Sequence, residues 1–319
     1  MRGRAWEFEN LLTRVATRLA SEAMTRANKS PGKLIESAWR IHEWNPRWVP
    51  GKAKAALKYA ALRLLTSRTK GHAIRVKLDG GQTMLVDPVD FVECHIGRFG
   101  SWEGPLFTAV RSLVDEGDVV FDVGGHVGYS TVLFADWVGE RGHVWCFEPF
   151  EAHRDRIEGN LQANQFQDRV DVIGAAVSTT TGTAAFNAPG RLNTGVGALR
   201  KDADGRSIRV DTISIDELLA REAIDSVALC KVDIEGAEGA ALRGMSNALR
   251  IQSIRAFLFE FHPSAMAQFG DTVESIVAML GENGFSVRFW NGSAFKGDVT
   301  SGSGTYAIAL SVKLLEQHA

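Results

Sequence analysis

The chain has 319 residues, 45% of them hydrophobic, which allows a sizeable core and excludes an intrinsically disordered protein. Its net charge of −2 hides an asymmetry: residues 1–72 carry 15 Lys/Arg against 5 Asp/Glu, and the rest carries 21 against 33. Three scattered cysteines, Cys94, Cys146 and Cys230, form no C-x-x-C pair, which points to buried free thiols and a reducing, cytoplasmic setting.

Residues 1–70 read as a basic helical extension. Phe8, Leu11, Leu12, Val15 and Leu19 share one face at helical spacing, and Leu34, Ile35, Ala38 and Trp39 form a second stretch after Ser30-Pro31-Gly32. A third, over 52–65, sets Lys54, Lys58 and Arg63 opposite an apolar face. It suits either peripheral contact with an anionic membrane surface or packing on the rest of the chain with its cations in water. Glu7, Glu9, Arg14 and Arg18 interrupt any signal-like apolar run. The longest uncharged run, 172–190, is too rich in Ser, Thr, Gly and Asn to span a bilayer.

From His72 the period changes to two. Ile74, Val76 and Leu78 alternate, Asp79-Gly80-Gly81 turns, and 83–86 returns, which predicts a β-hairpin. A mixed segment with Trp102 and Glu103 leads to a helix over 104–116, so residues 71–117 form a hairpin and lead-in helix. Strands at 119–123, 143–148 and 169–173 then alternate with helices at 128–139 and 151–164, the rhythm of a parallel sheet covered on both faces. Short alternating stretches at 183–186 and 208–212 predict a β-rich insertion at about 178–216. Strand 227–232, helix 237–248, strand 256–261, helix 272–283 and closing strands at 286–290 and 305–311 complete a domain over 118–313.

The chemistry concentrates in Val119-Val120-Phe121-Asp122-Val123-Gly124-Gly125-His126-Val127-Gly128. Strand, glycine turn and helix start follow the grammar of a nucleotide site, but His126 stands where the dinucleotide fingerprint G-x-G-x-x-G needs glycine. A second acid, Glu148, closes the next strand 26 residues after Asp122. The set resembles the S-adenosylmethionine site of a class I methyltransferase. Gly124, Gly125 and Gly128 would admit the ligand's tail and ribose, and the helix after Gly128 would offer N–H groups to its carboxylate. Asp122 would hold the turn and place negative charge near the sulfonium, and Glu148 would accept both ribose hydroxyls. His126 reads as a spacer.

Phe147-Glu148-Pro149, Asn160, Asn164, Ala176-Val177-Ser178 and above all Lys231-Val232-Asp233-Ile234-Glu235-Gly236-Ala237-Glu238 resemble the FkbM family of methyltransferases over about residues 95–290. Gly125 departs from the family, which more often has Ala there, and Ile215-Asp216 replaces a more usual Leu-Asp pair. The resemblance implies an α/β, Rossmann-like class I methyltransferase fold with a seven-stranded, mostly parallel sheet and an antiparallel last strand. It also brings Ala176 into the cofactor-binding set. The implied activity is O-methylation of a hydroxyl on a saccharide, glycolipid or polyketide-type product, so the acceptor is a small-molecule, saccharide or lipid-linked compound and no nucleic acid is expected.

Such a reaction needs a proton acceptor beside the attacking hydroxyl. Asp233 or His262 could serve as base, with Glu235 and Glu260 positioning substrate hydroxyls or holding a divalent cation such as Mg2+. The structural alternatives are that Glu235 and Glu238 are first-turn helix acids, that Lys231 pairs with one of them, and that His262-Pro263 ends a strand. A S-adenosylmethionine-binding protein without chemistry, and a methyltransferase acting on protein or nucleic acid, are the functional alternatives.

Overall fold

A computed structural model describes residues 31–45, 51–66, 73–190, 192–200, 207–296 and 306–317. The predicted first helix, with Phe8, Leu11, Leu12, Val15 and Leu19, and the side chain of Lys54 lie outside the described residues. The chain divides into two compact units: one runs to Trp102 and takes in Gly190–Gly195, and the other comprises Glu103–Pro189 and the residues from Val196 onward.

In the first unit, helix α1 (Pro31–Glu43) buries Leu34, Ile35, Ala38 and Ile41 along one stripe, as its spacing predicts. Helix α2 (Gly51–Thr66) is tied to it by Lys58, whose Nζ donates to the His42 carbonyl at 2.5 Å. One lysine of the predicted basic face is therefore spent inside the unit. Strands β1 (Ile74–Lys77) and β2 (Thr83–Val86) form the predicted antiparallel hairpin. Helix α3 (Phe91–Phe99) was not anticipated. It starts at Asp90, whose Oδ1 accepts from the Glu93 amide at 2.9 Å, and stops at Gly100, which has a left-handed φ of 76°. Asp90 Oδ2 accepts from the Thr194 amide at 2.7 Å, and the Phe91 amide donates to the Leu192 carbonyl. Part of the predicted insertion thus completes this unit.

The second unit opens with helix α4 (Gly104–Val110). Strand β3 (Val119–Val123), helix α5 (Tyr129–Val138), strand β4 (His143–Phe147), helix α6 (Glu151–Asn164) and strand β5 (Val170–Ile173) follow the predicted alternation within a residue or two. Strands β6 (Ala175–Val177), β7 (Gly182–Asn187), β8 (Ala198–Arg200) and β9 (Ile208–Ile213) form a separate four-stranded sheet, ordered β6-β9-β7-β8. The β-rich insertion therefore begins at Ala175, ahead of the predicted 178. Helix α7 (Ile215–Arg221) leads to β10 (Val227–Val232), which is buried along its whole length. The predicted helix 237–248 is two helices, α8 (Glu238–Arg243) and α9 (Ser246–Ile251). The break falls at Gly244, where a Cβ would stand 2.1 Å from the Ser178 carbonyl oxygen.

Strand β11 (Ile254–Glu260), helices α10 (Pro263–Met266) and α11 (Val273–Glu282), and strands β12 (Phe285–Trp290), β13 (Phe295–Lys296) and β14 (Tyr306–Ser311) follow, and helix α12 (Val312–Gln317) closes the described chain. Among the described residues the main sheet has eight strands rather than seven, ordered β13-β12-β14-β11-β10-β3-β4-β5. The extra member is the two-residue edge strand β13. The other seven are parallel except β14, which inserts antiparallel between β11 and β12. This is the class I methyltransferase topology. Phe121, Phe147, Phe257, Phe259 and Phe261 fill its core. Because β3, β4, β10 and β11 run parallel, their carboxyl ends share one edge of the sheet, where ligands of such folds bind.

Candidate active site

Asp122 is fully buried beneath the glycine turn. Its Oδ2 accepts from Ser130 Oγ at 2.8 Å and Thr131 Oγ1 at 2.6 Å, which pins the first turn of α5 to the end of β3. Lys231 Nζ lies 3.5 Å from Asp122 Oδ1. Burial pushes the Asp122 carboxyl above its usual pKa, and Lys231 opposes that shift. With no exposed surface, Asp122 shapes the turn from below; it is not placed to touch a ligand.

The glycines have a packing reason that sequence reading missed. A Cβ on Gly124 (φ 89°) would stand 2.0 Å from the Asp233 carbonyl oxygen. One on Gly125 would stand 2.3 Å from Cys146 Sγ, and one on Gly128 (φ 87°) 3.2 Å from Ile157 Cα. Close packing against three different parts of the chain therefore accounts for glycine at each of these positions.

Glu148, just past β4, is nearly buried. Its Oε2 accepts from the His126 amide and its Oε1 from the Phe150 amide, both at 2.9 Å. A carboxylate offers about four lone-pair sites, so it keeps capacity for a diol. His126 bends the turn with a left-handed φ of 49°, and burial holds its imidazole well below its usual pKa beside His153. Ala176 sits in a small apolar cluster with Ala237, Phe186, Leu199 and Val210, flanked by Phe150 and Ile234. It packs behind the turn bearing Glu235.

The structure brings Asp233, Glu235, Glu260 and His262 together. His262 Nδ1 lies 3.3 Å from Glu235 Oε2, and its Nε2 lies 3.9 Å from Asp233 Oδ1 and 3.7 Å from Glu260 Oε1. Side-chain exposures of 17–29% leave all four within reach of solvent. Asp233, Glu260 and His262 also offer three ligand atoms within 4.8 Å of one another, a spacing that could close around a cation. Glu235 owes its place to a turn in which it (φ 53°) and Gly236 (φ 106°) are both left-handed. Glu238 turns inward instead and accepts from the Gly236 amide at 2.9 Å, so it braces this turn.

Crowded acids in a half-dry site resist ionisation. Burial, followed by the charges of Asp233 and Glu103, pushes the Glu260 carboxyl up to about 9. Burial with Asp233 and Glu238 pushes Glu235 to about 7. Burial lowers the His262 pKa, partly offset by Asp233. A neutral imidazole beside a protonated Glu260 is the state expected at neutral pH.

Sequence reading underrated Lys231 and missed Glu103 and Tyr306. Lys231 does more than pair with one acid: its Nζ donates to the Gly124 carbonyl at 3.0 Å and lies 3.2 Å from Asp233 Oδ2. Burial works against its charge, but Asp233 and Asp122 outweigh that and hold its pKa above normal. Tyr306 stands opposite Glu260 in the β11–β14 register and donates its hydroxyl to Glu103. The alternation of Lys231 and Asp233 on one strand was legible, whereas the partner expected for Lys231 was Glu235 or Glu238, not Asp122. The Glu103–Tyr306 pair was not legible, being 203 residues apart.

Comparison with known proteins bears on the same region. The relative AglP, a hexuronic acid methyltransferase of Haloferax volcanii, is 30% identical over 234 residues, 72% of this chain and 83% of its own. The 31-O-demethyl-FK506 methyltransferase FkbM of Streptomyces tacrolimicus is 25% identical over 198 residues, 54% of this chain and 74% of its own. The solved structure of methyltransferase FkbM from Methylobacillus flagellatus aligns with a TM-score of 0.41 and 14% identity, over 87% of this chain and 58% of that one. A family profile described as methyltransferase FkbM domain matches residues 122–287. That match runs from Asp122 across both strand-end turns, and the chain belongs to the FkbM family of methyltransferases.

Proposed function

We propose that this methyltransferase transfers the methyl group of S-adenosylmethionine to a hydroxyl of a saccharide, glycolipid or polyketide-type acceptor, with His262 as the general base. The observation that carries the reading is the abutment of the two turns: the Asp233 carbonyl lies against Gly124, and Lys231 joins both. The donor set fits the cofactor, because Glu148 retains acceptor capacity at the strand end while carboxylates lie where a sulfonium is favoured. When bound, S-adenosylmethionine supplies an electrophilic methyl group on a cationic sulfur.

The protein's own residues do the rest. Glu148 binds the ribose diol, and Asp122 acts indirectly by pinning the turn to α5. Glu235 orients His262 through Nδ1, leaving Nε2 to accept the proton of the attacking hydroxyl. Nε2 is buried with no hydrogen-bond partner among the described residues, an unmet need that the acceptor hydroxyl would fill on reaching it. Asp233 stabilises the imidazolium that forms, and protonated Glu260 donates to a substrate oxygen. The names of the two relatives, one for a hexuronic acid and one for a 31-O-demethyl compound, support an oxygen-rich acceptor.

The test is the chemistry of the product. Incubation with methyl-labelled S-adenosylmethionine and glycan or metabolite extracts should leave label in an ether, stable to mild alkali. Label released by alkali as methanol would mark a carboxyl ester and contradict the assignment of a hydroxyl and its base.

A further inference from the structure

Resting on the reading of Glu148 as the carboxylate that binds the cofactor's ribose diol, we propose that His153 is a positioning residue that holds Glu148 in its diol-binding geometry. Two separate segments grip this carboxylate through their backbones. Oε2 accepts from the His126 amide in the glycine turn, and Oε1 accepts from the Phe150 amide at the cap of α6.

His153 joins the two grips. Its ring packs edge-on against the His126 ring, with centroids 4.6 Å apart, and against the Phe150 ring at 5.0 Å. Its Nδ1 lies 3.5 Å from Glu148 Oε1. One side chain thus touches both residues whose amides hold the carboxylate, and faces the carboxylate itself. Its own amide donates to the Phe150 carbonyl at 3.0 Å, which fixes its backbone to the same helix start. His126, which reads as a spacer in the sequence, supplies both the amide on Oε2 and a ring on which His153 rests.

Packing alone does not call for an imidazole here. The ring is nearly buried, and its Nε2 has no hydrogen-bond partner among the described residues. A buried polar atom left unsatisfied costs stability, whereas a phenyl ring would fill the same space without that cost. What histidine offers and phenylalanine lacks is a nitrogen facing Glu148. With its proton on Nδ1, the ring complements the carboxylate charge and, together with the two amides, keeps the oxygens in one orientation before the diol arrives.

The experiment titrates the full chain calorimetrically with S-adenosylhomocysteine and with its 2′,3′-dideoxy analogue, which lacks the diol. The wild type should prefer S-adenosylhomocysteine by about tenfold or more, the scale of a charge-assisted hydrogen bond. His153→Phe should weaken S-adenosylhomocysteine about fivefold, leave the analogue unchanged, and melt no lower than the wild type. A general structural role for His153 would weaken both ligands together. A loss shared by both, no loss for either, or a lower melting temperature therefore overturns the assignment of His153. Wild-type protein that binds the two ligands equally, or binds neither, overturns the underlying reading of Glu148 instead.

Discussion

Lys231 and Asp122 are register partners on the adjacent parallel strands β10 and β3, and their charged groups approach to 3.5 Å inside the sheet. Neither could be buried there alone, because an isolated ion in the interior is severely penalised. The same ammonium holds Gly124 and Asp233, so one side chain fixes the glycine turn after β3 against the turn after β10. Lys231→Met should destabilise the fold by about 3–5 kcal/mol by stranding Asp122. Adding Asp122→Asn should recover part of that loss, and urea denaturation of the four-membered set measures the coupling.

The pairing of Gly125 with Cys146 yields a second prediction. A methyl group at 125 would meet Cys146 Sγ at 2.3 Å, so the alanine favoured elsewhere in the family is incompatible with this cysteine. Gly125→Ala should cost about 1–3 kcal/mol through overpacking. Gly125→Ala combined with Cys146→Ala should be more stable than Gly125→Ala alone, a comparison made by thermal melts at one pH.

Glu260 gives the fold a pH dependence of known sign. Its folded pKa, about 9, lies above the ordinary value of 4.5. The stability it contributes is therefore complete below about 4.5 and is lost as pH rises through 9. The wild-type unfolding free energy from urea denaturation should fall from pH 6 to 9, with a slope approaching about 1.4 kcal/mol per pH unit. Glu260→Gln, neutral throughout, should flatten the decline. An unchanged slope in that variant would refute the assignment of the proton to Glu260.

The alternating half of the fold was legible because β3, α5, β4, α6 and β5 carry their own periodicities and turn residues. Helix α3 was not, because its packing side mixes Phe91 and His95 with Cys94 and depends on Trp39 and Trp102, whose rings lie 5.0–6.3 Å from those of Phe91 and His95. The α8–α9 break depends on Ser178, a distant carbonyl that no local pattern encodes. Asp216, read only as part of an altered pair, caps α9 by accepting from the Asn247 and Ala248 amides at 2.7 and 2.8 Å. In the site, strand-end acids and the histidine two residues past Glu260 could be found by spacing. The reason for each glycine, and the pair of Glu103 and Tyr306, exist only once distant strands are paired.

The central claim is a division of labour: the β3 and β4 ends hold the cofactor, and the β10 and β11 ends move the proton. Measuring S-adenosylmethionine affinity and methyl turnover side by side in Glu148→Gln and His262→Asn tests it most directly. Glu148→Gln should weaken cofactor affinity about tenfold or more, as expected for losing charge-assisted hydrogen bonds. His262→Asn should bind the cofactor as the wild type does and lose about 100- to 10,000-fold in turnover, the usual worth of a general base. Wild-type turnover in His262→Asn, or wild-type cofactor affinity in Glu148→Gln, would contradict the division.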